Sequence, residues 1–413
     1  FITGGIASML IFYLWGSNQF GLVILRVWEQ MTSYTFLAAP MFIFMAGMLK
    51  RSGIVEELYD AVHIWMGGLR GGLALATVLV CTIIAAMVGV VGAGIALMGA
   101  IALPEMIKRG YNKHLAAGTI CASGSLGILI PPSIMFIVYS MIAGVSVGDL
   151  FAGGLGAGLL LAVLYFSYIG IRCYFFPEDG PSATLEERAL PLREKLRRSS
   201  TLVLPSLLVF AVIGSIFMGI ATPSEAAGVG AAGAMLIAAL RKKLSIFSIN
   251  EVAKDTIKVS AMIMWIIFGA TTLVTVYNFA GGSRYLTGLV GGLPLGEWQM
   301  FFLIMVFLFI LGFFLDWIGV LMLVGPFVIP MMAELGFDPL WFGVVFALNM
   351  QMALLTPPFG PALFYLKGVA PPGISMSDLY RSAIPFVILQ VFAIGIVILF
   401  PEIITWLPNR LSN

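Results

Sequence analysis

Apolar residues run along this chain in long uncharged blocks rather than alternating with polar ones. Several blocks pass the roughly 18 residues that mark a spanning helix, and none keeps the period of two of a half-buried strand. The pattern predicts apolar helical segments over 6–27, 36–50, 72–88, 94–107, 114–143, 150–176, 200–222, 226–240, 257–281, 298–315, 318–333, 340–371 and 379–407. Their lengths are uneven. The 94–107, 226–240 and 318–333 segments are short for a bilayer, whereas 114–143 and 340–371 are long and each is interrupted by Pro-Pro. Stretches 53–69 and 247–258 mix apolar and charged residues at helical spacing and read as amphipathic arms at the membrane surface. The one clearly soluble stretch is 177–199, a linker between two halves.

Composition agrees with an all-α polytopic membrane protein: 60% of the 413 residues are hydrophobic and 10% charged. A soluble domain carries about 25% charged residues, so an ordinary water-facing surface is excluded. The net charge of +2 gives no nucleic-acid footprint. Cys81, Cys121 and Cys173 form no CxxC pair, and His63 and His114 are too few and too far apart for a transition-metal site. No HExxH or nucleophile–base set points to a membrane enzyme, and Gly124-Ser-Leu-Gly127 lacks the Lys-Ser/Thr ending of a nucleotide loop. The chain opens at Phe1 inside an apolar segment, which reads as a truncated first helix rather than a signal peptide.

The halves are related. Pro104 and Pro330, and Pro132 and Pro358, are both 226 residues apart. At that offset Arg109-Gly110-Tyr111 meets Leu335-Gly336-Phe337, and Ile130-Pro131-Pro132 meets Thr356-Pro357-Pro358. After three extra residues Ser146-Val-Gly-Asp149-Leu150 meets Ser375-Met-Ser-Asp378-Leu379, and upstream Gly67-Gly68-Leu69 meets Gly291-Gly292-Leu293. This is an internal duplication.

Basic residues in short loops mark the cytoplasmic side. With the linker inside, 200–222 crosses outward and 226–240 returns, leaving Arg241-Lys242-Lys243 inside. Segment 257–281 then goes out, so 298–333 enters and leaves from outside; its distal loop, 334–339, has no Lys or Arg. In the first half, 36–50 runs inward to Lys50-Arg51, and a 72–107 hairpin entered from inside keeps Arg70, Lys108, Arg109 and Lys113 cytoplasmic. The repeats therefore have inverted topology, each with a re-entrant helical hairpin and a Pro-broken helix.

Hairpin tips and helix breaks are tolerated at membrane depth where protein or a water-filled cavity satisfies the backbone. The tips are Gly89-Val-Val-Gly92-Ala-Gly94 and Phe314-Leu-Asp316-Trp-Ile-Gly319; the breaks are 123–132 and 349–358. Each Pro-Pro removes donors and frees upstream carbonyls, which suit Na⁺, while half-helix N-termini suit an organic anion. Two Na⁺ regions are expected. The first holds Gly89, Gly92, Gly94, Ser123, Ser125, Gly127, Pro131 and Pro132; the second holds Asp316, Gly319, Asn349, Gln351, Thr356, Pro357 and Pro358. The alternative for each Pro-Pro is a packed kink, and glycine-rich tips also permit close helix packing. Asp316 reads either as a site carboxylate or as the N-cap of the returning helix. Thr222-Pro-Ser-Glu225 has capping-box spacing, so Glu225 reads as structural, and Asp149 and Asp378 read as caps.

Arg109-Gly110-Tyr111, Ile130-Pro-Pro-Ser133-Ile, Gly219-Ile-Ala-Thr-Pro-Ser-Glu225-Ala-Ala, Gly312-Phe-Phe-Leu-Asp316, Pro326-Phe-Val-Ile-Pro330, Leu355-Thr-Pro-Pro358 and Phe400-Pro-Glu-Ile-Ile together resemble the large membrane subunit of TRAP (tripartite ATP-independent periplasmic) transporters. The resemblance spans essentially the whole chain. It implies Na⁺-coupled import of a small organic anion, a carboxylate or sulfonate, across a bacterial inner membrane, with a periplasmic binding protein and a small membrane subunit as partners and Na⁺ in place of any organic cofactor. It also implies an elevator mechanism, a cytoplasmic 177–199 linker and a periplasmic C-terminus. On that reading 1–71 and 200–297 are scaffold helices with arms, 72–143 and 298–371 are transport repeats, 144–199 connects them, and 372–413 is a C-terminal helix. The Ser- and Asp-rich first tip frequent in the family is here Val88-Gly-Val-Val-Gly-Ala-Gly94, without a side-chain oxygen. The first ion site then leans on carbonyls and on Ser123 or Ser125. A sodium/dicarboxylate-type symporter working without a binding protein is the competing reading.

Overall fold

Outside the Pro-Pro breaks the apolar blocks become helix, because a backbone in hydrocarbon must satisfy its own hydrogen bonds. The computed structural model describes all residues except 1, 90, 183–190, 283–284, 286–287, 289–293 and 412–413, and contains no strand among the described ones. The match at Gly291-Gly292-Leu293, part of the linker and Val90 of the first tip lie outside the described residues. Eight described helical stretches are long and apolar enough to cross a membrane, one of them the run Leu192–Phe217 that comprises two of the helices named below and the turn between them.

The helices are α1 (Ile2–Trp15), α2 (Ser17–Met31), α3 (Ala38–Arg51), α4 (Ile54–Met66), α5 (Gly72–Val88), α6 (Val91–Lys108), α7 (Lys113–Gly124), α8 (Ile134–Ala143), α9 (Val147–Phe175) and α10 (Leu192–Ser199). The second half continues with α11 (Val203–Phe217), α12 (Pro223–Leu240), α13 (Ile246–Phe279), α14 (Glu297–Phe314), α15 (Trp317–Glu334), α16 (Pro339–Leu355), α17 (Pro361–Lys367), α18 (Met376–Leu399) and α19 (Glu402–Leu411). A 3₁₀ turn, Ser125–Ile128, follows α7.

Helix boundaries recur at the offset read from the sequence. Both ends of α6 and of α15 are 226 residues apart, as are the starts of α7 and α16. The turns leaving α6 and α15 also match. Gly110 and Gly336 take left-handed φ of 80° and 87°. The amide of the next residue, Tyr111 or Phe337, donates at 3.0 Å to the carbonyl of Met106 or Met332. This is the helix-ending turn that glycine favours. Pro131-Pro132 and Pro357-Pro358 are both cis.

Four boundaries depart from the apolar pattern. The 6–27 block is two helices, divided at Gly16, whose φ of 80° ends α1. The 379–407 block divides at Phe400-Pro401, since proline cannot donate to the ladder and disfavours helix in the residue before it. The 247–258 stretch is no separate arm: α13 runs 34 residues without interruption, and no Gly or Pro occurs from 246 to 268 to break it. At ~1.5 Å per residue it is longer than a ~30 Å hydrocarbon core. Asp149 and Asp378 sit in the first turn, after the N-caps Ser146 and Ser375; Asp378 still caps α18, accepting from the Ser375 amide at 2.9 Å to close a capping box, whereas Asp149 closes none.

Elsewhere local chemistry sets the ends as read. Thr222 and Glu225 close a capping box at α12. The 53–69 arm forms as α4, held by an ion pair from Glu57 to Arg241, while Arg51 pairs with Glu251 on α13 at 2.5 Å. The first residues of the linker fold back: Asp179 accepts from the Asn112 side chain (2.7 Å) and from Arg172 (2.8 Å), and the Gly180 carbonyl accepts from Gly71 (2.8 Å). The starts of α5 and α7 and the end of α9 are thus tied at one end of the helix packing. Buried Met, Phe and Ile side chains of α3, α5, α7, α9, α16 and α18 form one continuous core around the breaks.

Candidate functional site

At the first tip, α5 ends at Gly89 in the left-handed region (φ 59°), and Val91 already begins α6. Gly92 and Gly94 therefore lie in the first turn of a helix rather than in a loop. The break opposite is wide: α7 stops at Gly124 and α8 starts only at Ile134. Tip and break meet closely. A methyl group at Gly89 would lie 2.3 Å from the Pro132 carbonyl oxygen, and one at Gly94 would lie 3.4 Å from that of Gly124. Between them is a cavity of about 10 Å³ bordered by Cys81, Gly89, Gly94, Gly124 and Gly127. That is the room of about one water-sized sphere.

The two serines expected here are turned elsewhere. The Ser123 hydroxyl donates to Thr119 within α7 (2.5 Å). Ser125 donates to the Ala122 carbonyl (2.8 Å) and accepts from the Gln351 amide (3.1 Å). Neither borders the cavity, so main-chain oxygen is what the first break offers its tip. Ser133, which sequence reasoning passed over, is fully buried and donates to the Ile128 carbonyl (2.5 Å), satisfying one group freed by the prolines.

The second region is narrower than the sequence suggested. α16 continues to Leu355, so Asn349 and Gln351 are helical, and the break spans only Thr356 to Gly360. Asn349 is committed to α14, donating to the Met305 carbonyl (2.9 Å). Gln351 reaches the first repeat at Ser125, the residue 226 positions before it, so equivalent positions of the two halves touch each other. Thr356 donates back to Met352 (2.7 Å), and the Pro358 carbonyl accepts from Tyr380 (2.9 Å).

Asp316 is the residue with free capacity. It is the N-cap of α15 without a capping hydrogen bond further into the first turn; its carboxylate accepts from the Trp317 backbone amide and keeps oxygen lone pairs to spare at the turn between α14 and α15. A negative charge there also meets the positive end of the α15 dipole. Gly319 lies in the first turn of α15, where an added methyl would contact only Leu315 of the same tip. Phe314 and Phe359, with rings 5.6 Å apart, join the tip to the break.

Two features were invisible in the sequence. Tyr365 on α17 lies against Gly92, whose missing side chain leaves space for the ring. A separate cavity of about 210 Å³ is lined by Arg26, Gln30, Thr271 and Thr275 of α2 and α13 and by Ile142 and Met322 of α8 and α15. Its residues come from four segments of ordinary composition, which no spacing rule joins.

Comparison with known proteins identifies the architecture. The chain belongs to the family described as the tripartite ATP-independent periplasmic transporter, DctM component, whose model matches residues 1–403. It is 33% identical to the C4-dicarboxylate TRAP transporter large permease protein DctM of Vibrio cholerae, covering 100% of this chain and 94% of that protein. It is 28% identical to the isethionate TRAP transporter permease protein DctMQ of Oleidesulfovibrio alaskensis, over 97% of this chain and 62% of that longer protein. Among solved structures it is similar in fold to the Alcanivorax borkumensis YdaH transporter, with a TM-score of 0.63 over 91% of this chain and 86% of that one, at 12% identity.

Proposed function

We propose that this chain is the large permease of a Na⁺-coupled importer of small organic anions, working in a bacterial inner membrane by an elevator motion. The observation that carries the reading is the pair of hairpin tips, each facing a Pro-Pro break, with helix boundaries repeated 226 residues apart. Inverted repeats with broken helices place ion and substrate sites near the midplane, and hard cations suit carbonyl and carboxylate oxygen. The Gly124 and Pro132 carbonyls beside the first tip fit one Na⁺, and the Asp316 carboxylate, with lone pairs beyond its bond to the Trp317 amide, fits the second. The anion then lies between the tips, met by helix N-termini rather than by a fixed cation. The 72–143 and 298–371 repeats move against a scaffold containing α1–α3 and α11–α13, with the linker cytoplasmic and the C-terminus periplasmic.

Partners follow from the family: a small membrane subunit and a periplasmic binding protein. The substrate is a carboxylate or sulfonate, by analogy with the C4-dicarboxylate and isethionate permeases. In proteoliposomes containing this chain and the small subunit, uptake of radiolabelled succinate should require the binding protein. Equal uptake of the free anion without it, or full activity of this chain alone, would replace the reading with a self-sufficient symporter.

A further inference from the structure

We propose that Tyr365 is a substrate-contacting residue, its hydroxyl donating a hydrogen bond to a carboxylate of the transported anion between the two hairpin tips. The inference rests on the functional reading above and names a contact within the same site.

The duplication supplies the comparison. Tyr139 and Tyr365 are 226 residues apart, and each follows its own Pro-Pro by seven positions. Their surroundings differ. Tyr139 is fully buried, and its hydroxyl donates to the Pro339 carbonyl at 2.7 Å. Tyr365 is 48% exposed, and its hydroxyl has no hydrogen-bond partner among the described residues. One tyrosine is held by structure; the other has a donor to offer.

Glycines set the difference. The Tyr139 ring rests on Gly343, where an added methyl would approach it to 2.6 Å. The matching position in the first half is Ala117. The Tyr365 ring rests on Gly92 of the first tip, where an added methyl would stand 3.0–3.2 Å from three ring atoms. The position matching Gly92 is Ile318, buried at 2% exposure, which leaves no such slot for Tyr139. Tyr365 is also within electrostatic reach of Asp316 at the second tip. A single side chain therefore rests on the first tip with its phenol free, on the side where the anion is proposed to lie.

The chemistry fits. A tyrosine hydroxyl donates to a carboxylate without adding a permanent charge to a site that must also cross the membrane. Set beside the Asp316 carboxylate, a neutral donor favours the anion, whereas the carboxylate's own charge is left for Na⁺.

Tyr365→Phe removes only the hydroxyl and keeps the ring on Gly92. With chain, small subunit and binding protein reconstituted together and succinate as probe, the variant should raise the KM for succinate about tenfold, as loss of a hydrogen bond to a charged group predicts. Half-saturation by Na⁺ should stay unchanged. Gly92→Ala, which displaces the ring, should raise the KM in the wild-type background but add little to Tyr365→Phe. Wild-type uptake reports on the parent reading, and the variant-to-wild-type ratio reports on Tyr365. An unchanged KM would make the tyrosine a packing residue only. A shift in Na⁺ half-saturation without a change in KM would make the hydroxyl an ion ligand. Either result overturns the proposal.

Discussion

Replacing Asp316 by Asn is expected to reduce Na⁺-driven uptake at least about tenfold and to raise the Na⁺ concentration needed for half-maximal rate. Losing one charge-assisted contact removes roughly 1.5–3 kcal/mol, which corresponds to that range of affinity. Asn caps a helix about as well as Asp, so a purely capping residue would tolerate the change. The carboxylate makes no capping hydrogen bond further into α15, and its bond from the Trp317 amide is one an Asn side-chain oxygen can keep. Asp316→Ala should lose uptake equally. The protein should still purify as a folded monodisperse species, because no packing atom is deleted in the Asn variant. Wild-type uptake with unchanged Na⁺ dependence in Asp316→Asn would reduce the residue to a helix start and leave the second ion site to backbone oxygen alone.

Gly89→Ala should abolish uptake, whereas Gly144→Ala should only lower stability. Both glycines hold left-handed φ, 59° and 66°, and an L-residue there costs about 1–2 kcal/mol. They differ in surroundings. A methyl at Gly89 meets the Pro132 carbonyl at 2.3 Å, while one at Gly144 meets nothing within 4 Å. The shared backbone cost therefore cancels between the variants, and the remainder reports the approach of the first tip to its break. Thermal unfolding of the detergent-solubilised proteins, measured beside uptake, separates the two contributions. Comparable uptake in both variants would mean that this close approach carries no function.

The 226-residue offset was legible in the sequence because Pro-Pro pairs and helix-ending glycines have fixed backbone roles, so their spacing stands out where apolar residues interchange freely. Gly110 and Gly336, and the two Pro-Pro pairs, lie where the offset puts them. Break lengths were harder to read. Ser-Gly-Ser-Leu-Gly before Pro131 is poor in helix formers, and the helix gives way at Gly124; Met-Gln-Met-Ala-Leu-Leu before Thr356 is rich in them, and α16 holds to Leu355. A proline bars helix in the residue before it and removes one hydrogen bond four residues back, but how far the helix then unwinds depends on the residues upstream, so identical Pro-Pro marks leave different breaks. Side-chain direction was not legible at all. Ser123 and Ser125 sit beside the first break in the chain but point to Thr119, Ala122 and Gln351. Asn349 looked like a ligand and instead fastens α16 to α14. Tyr365 carries no motif; only the apposition of α17 to Gly92 brings it against the first tip.

In the proposed mechanism, oxygen atoms around the two tips couple an inward Na⁺ gradient to anion uptake. Its most direct test is succinate uptake into proteoliposomes holding the chain, the small subunit and the loaded binding protein, under either an inward Na⁺ gradient or an inward proton gradient in Na⁺-free buffer. Accumulation above the external concentration is expected with Na⁺ alone, and background uptake with protons alone. Full accumulation driven by protons in the absence of Na⁺ would contradict the account.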